Sequence, residues 1–96
     1  MEQSVEKLVK YLPVEQNILK VVEECAELQE VLIKYLTKSE AFKPKMEKIS
    51  EEMGDVIFRI AVAASALGIE DKVEKRAEYK ADAMLTWSVN KFEKKI

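Results

Sequence analysis

The sequence predicts an all-α fold, an expectation that three observations support. Apolar residues recur at helical rather than strand spacing in three long segments. Charged residues make up 35% and hydrophobic residues 48% of the 96 positions, a balance suited to amphipathic helices. Only 2 Gly and 2 Pro interrupt the chain. The expected architecture is a single domain, residues 1–96, built as an antiparallel bundle of three long helices plus a short N-terminal helix. A core this small is expected to be completed by a second copy of the chain.

The short helix is expected from about Gln3 to Leu12, closed by Pro13, which also suits the start of the next helix. That second helix runs from about Val14 to Leu36, with Ile18, Val21, Val22, Cys25, Ala26, Leu32, Ile33 and Leu36 on its apolar arc. Thr37 to Lys45 is polar, contains Pro44 and reads as a connection. The third helix, about Lys45 to Leu67, presents Met46, Ile49, Met53, Val56, Ile57, Ile60, Ala64 and Leu67, and Gly68 ends it as a C-terminal cap. The fourth begins near Ile69 and runs to about Lys94, with Ile69, Val73, Ala77, Met84 and Trp87 on one stripe.

A formal net charge of −2 excludes a general nucleic-acid binder, which needs a surplus of Lys and Arg. Cys25 is the only cysteine, so no intramolecular disulfide forms and its expected role is packing. MEQSVEKLVKYL is charged throughout, unlike a signal peptide, and no apolar run reaches membrane-spanning length. A cytoplasmic protein with no membrane partner is the expectation.

One internal similarity organises the functional argument. KVVEECAEL (Lys20 to Leu28) and KISEEMGDV (Lys48 to Val56) each hold a lysine, a Glu-Glu pair and a further acid three residues after the second Glu. With Glu24 as the zero of angle, Leu28 lies at about 40°, Val21 at about 60° and Glu27 at about 300°. With Glu52 as zero, Val56, Ile49 and Asp55 repeat those angles. Each pair therefore has one member on the apolar seam, Glu24 or Glu52, and one at its polar edge, Glu27 or Asp55. A short connection makes the two helices antiparallel neighbours, and at roughly 1.5 Å per residue the pairs fall within about 5 Å of the same level.

Four converging carboxylates repel one another and lose hydration unless a cation cancels their charge. A hard divalent ion with oxygen ligands suits the task, Mg²⁺ first and Mn²⁺ as a substitute. Zinc, haem and di-iron sites are less plausible in a chain with no His and one Cys. Lys20 and Arg59, at about 320° and 340° on their helices, border the carboxylates and suit either phosphate binding or ion pairing. Lys80 stands in the apolar stripe of the last helix, a place that suggests a phosphate partner or snorkelling to solvent. Trp87 offers a face for a base but is more often a core residue.

At these residues the chain resembles the all-α nucleotide pyrophosphohydrolases, and among them the MazG-like proteins, whose signature is EExxE on one helix and ExxD on the next. Here those are Glu23-Glu24-Cys25-Ala26-Glu27 and Glu52-Met53-Gly54-Asp55. The resemblance spans roughly Leu19 to Trp87. It implies a homodimer or homotetramer, Mg²⁺ on Glu24, Glu27, Glu52 and Asp55, and hydrolysis of a nucleoside or deoxynucleoside triphosphate to the monophosphate and pyrophosphate. It also implies basic residues for the phosphates, with Lys48 just before ExxD and Lys80 on the last helix. Where related sequences carry an Asn and an Arg soon after that lysine, this chain has Asp82, Ala83, Met84 and Leu85, so the resemblance puts Asp82 in the place of the Asn and leaves the Arg without a counterpart.

The mechanism expected is attack by a metal-activated water, with Glu27 or Glu23 as general base and lysines steadying the leaving pyrophosphate. Two alternatives stand beside it. One is a phosphoribosyl-ATP pyrophosphohydrolase, a family with a Tyr-His pair where this chain has Phe58-Arg59. The other is a non-catalytic helical oligomerisation module.

Overall fold

The computed structural model describes residues 1–93. Four α-helices follow one another, α1 (Glu2–Tyr11), α2 (Val14–Thr37), α3 (Met46–Leu67) and α4 (Glu70–Ser88). A 3₁₀ turn at Glu40–Phe42 lies within the expected connection, and a π-helical turn at Val89–Glu93 continues α4. The helix end expected at Lys94 lies outside the described residues.

Backbone chemistry explains the boundaries. Leu12 is extended, as a residue before proline prefers, and this ends α1. The Pro13 carbonyl accepts the Gln16 and Asn17 amides at 3.1 and 3.2 Å, so Pro13 caps α2 rather than forming its first turn. The Thr37 hydroxyl donates back to the Ile33 carbonyl at 2.8 Å and so extends α2 one residue beyond the expected Leu36. Gly68 adopts φ 67° in the left-handed region. Its amide donates to Ser65 O at 3.1 Å and the Ile69 amide to Ala64 O at 2.9 Å, the paired bonds of a glycine C-cap.

α2 and α3 form an antiparallel hairpin, and their seam is the core. Val31, Ile49, Val62, Ala63 and Ala64 are its buried apolar residues. α1 lies against α3 and the start of α2, where the Asn17 side-chain amide donates to Leu8 O at 3.4 Å. The core is narrower than the apolar arcs suggest. Ile18, Val22, Ala26, Ile33 and Leu36 on α2 are exposed, as are Met46, Met53, Ile57, Ile60 and Leu67 on α3. Two helices in contact cover only one stripe of each other, and these residues sit roughly 60–200° round from Glu24 or Glu52.

α4 departs from the hairpin. It meets α3 beside the Gly68 turn, packs against neither α1 nor α2, and is exposed along Glu70 to Trp87. Trp87, expected in a core, is an exposed residue here, packed edge-to-face on Phe92 at 5.8 Å between centroids. The radius of gyration is 17.2 Å, where a compact domain of this length has about 12.5 Å.

Gly68→Ala is expected to lower stability by about 1 kcal/mol in urea denaturation, because a Cβ disfavours the left-handed backbone that the cap requires.

Candidate metal centre

The carboxylates come from facing turns of α2 and α3. Glu24, Glu52 and Asp55 each offer an oxygen such that all three lie within 4.8 Å of one another. Glu52 is buried at 5% exposure, Glu24 is half-buried, and Glu27 and Asp55 are exposed at the rim. Glu27 stands outside the close trio but is near enough to Glu24 and Glu52 for their charges to act on it.

The electrostatics follow from that crowding. Repulsion from the Glu24 carboxylate holds the Glu27 carboxyl above its ordinary range, and Glu52 acts in the same direction. Lys48 Nζ lies 2.9 Å from Glu52 Oε1, and this bond, followed by the Glu52 charge, raises the lysine above its ordinary value. The second oxygens of Glu24 and Glu52 are buried and have no hydrogen-bond partner among the described residues. A buried, unsatisfied carboxylate oxygen is expensive. Two such glutamates in a trio of carboxylates whose oxygens lie within 4.8 Å of one another fit a hard divalent cation.

The other residues singled out from the sequence are placed as follows. Glu23 is exposed and pairs with Lys20 at 3.0 Å. Arg59 is half-buried, its Cζ is 5.6 Å from the Phe58 ring centroid, and it forms no ion pair among the described residues. Lys80, Asp82 and Trp87 lie on α4, which makes no contact with α2, so the fold does not gather them at the carboxylates of the same chain. Sequence reasoning passed over Asn17, which is fully buried with its carbonyl oxygen unpartnered. Its signal was available: an amide on the apolar stripe, two turns before Glu24 and at about 20° from it.

The fold and site define an all-α helical protein with an acidic cluster on facing turns that could hold a metal ion. Over residues 12–94 the chain matches the family model described as the MazG nucleotide pyrophosphohydrolase domain, and it belongs to that family. No curated protein and no solved structure matches it. Membership makes the domain a nucleotide pyrophosphohydrolase domain, a hydrolase of a family that generally depends on a divalent metal.

A stability profile tests the crowding. A carboxyl raised in the folded state contributes stability that is full below its unfolded pKa and is lost as pH rises through its folded value. In EDTA, the melting temperature of the wild type relative to Glu27→Gln is therefore expected to fall as pH rises from about 4 toward neutrality. A difference independent of pH would contradict the arrangement. Mg²⁺ added at pH 7 is expected to raise the wild-type melting temperature.

Proposed function

We propose that the protein hydrolyses a nucleoside or deoxynucleoside triphosphate to the monophosphate and pyrophosphate with Mg²⁺, for which Mn²⁺ substitutes. The observation that carries this reading is the trio of Glu24, Glu52 and Asp55, with oxygens within 4.8 Å of one another and a buried, unpartnered oxygen on each of the two glutamates. Glu24, Glu52 and Asp55 hold the ion, with Glu27 beside them. The ion, when bound, neutralises phosphate charge and makes a water more acidic.

The remaining roles belong to the chain's own side chains. Glu27 is exposed at the rim and has a raised proton affinity, which suits a general base better than Glu23, held in its pair with Lys20. Lys48 and Lys20 stand on either side of the carboxylates, each in an exchangeable pair with a glutamate. A triphosphate offers them stronger, doubly charged partners. Water is added across the α–β phosphoanhydride bond, with Lys48 on the side of the monophosphate and Lys20 steadying the charge that the pyrophosphate carries away.

Lys80, Asp82 and Trp87 enter through a second copy. The chain exposes 7831 Å², about 2,200 Å² more than the roughly 5,600 Å² usual for its mass. That excess suits an obligate interface. A homodimer or homotetramer covers the outer arcs of α2 and α3 and lets α4 pack on another protomer, bringing Lys80 toward phosphates, Asp82 toward polar groups of the substrate and Trp87 toward a base. No helix among the described residues is long and apolar enough to cross a membrane. We place the protein in the cytoplasm, with the nucleotide pool.

Pyrophosphate release should be measured over a panel of ribo- and deoxyribonucleoside triphosphates, noncanonical bases and phosphoribosyl-ATP, each with and without Mg²⁺. Release from at least one triphosphate only with Mg²⁺ is expected, and Glu52→Gln is expected to lower it at least about 100-fold. Turnover of phosphoribosyl-ATP alone, or of nothing, refutes the reading. In sedimentation experiments the wild type should run as a dimer or tetramer, and Ile57→Glu, placing a charge on the exposed arc, should shift it toward monomer.

A further inference from the structure

Three cations border the carboxylate cluster on α2 and α3. Lys20 is paired with Glu23 at 3.0 Å and Lys48 with Glu52 at 2.9 Å. Arg59 differs from both. It makes no ion pair among the described residues, and its Nη1 is withdrawn from water with no acceptor. A charged donor in that state is costly, and the cost is relieved when an anionic acceptor arrives.

Its place on α3 indicates which acceptor. Arg59 comes one turn after Asp55, at about 340° where Glu52 is zero and Asp55 is at about 300°. Long side chains on a helix lean toward its N-terminus, which directs the guanidinium back toward the carboxylates. Along the axis it stands about 6 Å from Asp55, on the side away from Lys48. Asn17 lies at about the same level, two turns before Glu24 as Arg59 is two turns after Glu52, and its buried carbonyl oxygen is also unpartnered. The seam therefore continues from the carboxylates into a second polar layer whose donor is unsatisfied.

We propose that Arg59 binds the pyrophosphate portion of the substrate, receiving its oxygens on the planar guanidinium fork. The assignment rests on the hydrolase reading and deepens it, because it gives the substrate a direction. The two outer phosphates extend from the carboxylates toward the α1 end of the seam, and the nucleoside extends toward the linker end, past Lys48. Water is added across the α–β phosphoanhydride bond, the monophosphate leaves with one end and pyrophosphate with the other, and Arg59 holds the latter. A guanidinium suits this part because two parallel N–H bonds match a phosphate edge, a geometry that an ammonium does not reproduce.

Calorimetric titration of the full chain with inorganic pyrophosphate in Mg²⁺, and in parallel with inorganic phosphate, tests the assignment. Arg59→Gln is expected to weaken pyrophosphate about tenfold or more, with Arg59→Lys intermediate and phosphate changed by less than about twofold. Arg59→Met should melt at the wild-type temperature or higher, since it removes a buried donor that lacks a partner. Pyrophosphate affinity unchanged in Arg59→Gln, or equal losses for pyrophosphate and phosphate, overturns the assignment and leaves the hydrolase reading intact. So does an Arg59→Met protein that unfolds while Arg59→Lys binds pyrophosphate like the wild type, because Arg59 then only braces the fold. A wild type that binds no pyrophosphate and releases none from any triphosphate overturns the hydrolase reading as well.

Discussion

Glu52 is the residue on which the arrangement turns. It is a carboxylate buried on the seam of a two-helix core, with Lys48 on one oxygen and no partner on the other. Glu24 approaches from the facing helix with an orphaned oxygen of its own, and Asp55 and Glu27 crowd the rim. One lysine does not balance four acids, so the free protein carries repulsion at the place where the hairpin is held together. The elevated proton affinity of Glu27 expresses that repulsion, which the divalent cation of the proposed function would relieve. Stability and chemistry are thus joined at a single layer of the seam.

The rest of the chain is organised around keeping that layer in place while leaving its rim open. The alanine-rich second half of α3, with Ala63 and Ala64 buried, allows α2 to come close. α1 covers the far end of the seam through the Asn17 to Leu8 hydrogen bond. On the opposite arcs, large apolar side chains are exposed, among them Leu36 at 78% and Ile57 at 63%. α4 carries a further apolar stripe from Val73 to Trp87, and the helix meets α3 but neither α1 nor α2. The homo-oligomer proposed above would cover these surfaces.

Charge is distributed along the seam in an order that suits a polyanion. Acids occupy the centre, Lys48 stands toward the linker, and Lys20 and Arg59 stand toward α1. A divalent cation at the acids would cancel part of their charge and leave the three flanking cations free for phosphate, although the protein as a whole is slightly acidic. Local arrangement, rather than net charge, decides which ligands such a surface accepts.

Much of this was legible in the sequence because it depends on short-range geometry. The helical period located the starts of all four helices and the ends of the first three within a residue or two, the glycine at 68 marked its own cap, and the repeated acidic motif assigned Glu24 and Glu52 to the seam and Glu27 and Asp55 to its edge, since angle and rise along a helix are properties of spacing alone. Family membership was legible for the same reason, the signature being two local patterns on consecutive helices. What spacing does not contain is the partner of each face. The arcs bearing Ile33, Leu36, Met53 and Ile57 read as core, yet two helices bury only the stripe they share, so these residues remain outside. Trp87 and Lys80 read as neighbours of the site, but the direction in which α4 leaves the Gly68 turn is set by packing beyond the turn. Arg59 was legible as a neighbour of the carboxylates and Asn17 was passed over, and only antiparallel pairing placed the two at one level with polar atoms unpaired. Sequence determined the helices and the angular order of the acids; tertiary structure decided which faces are covered, because burial is a relation between elements and not a property of any one of them.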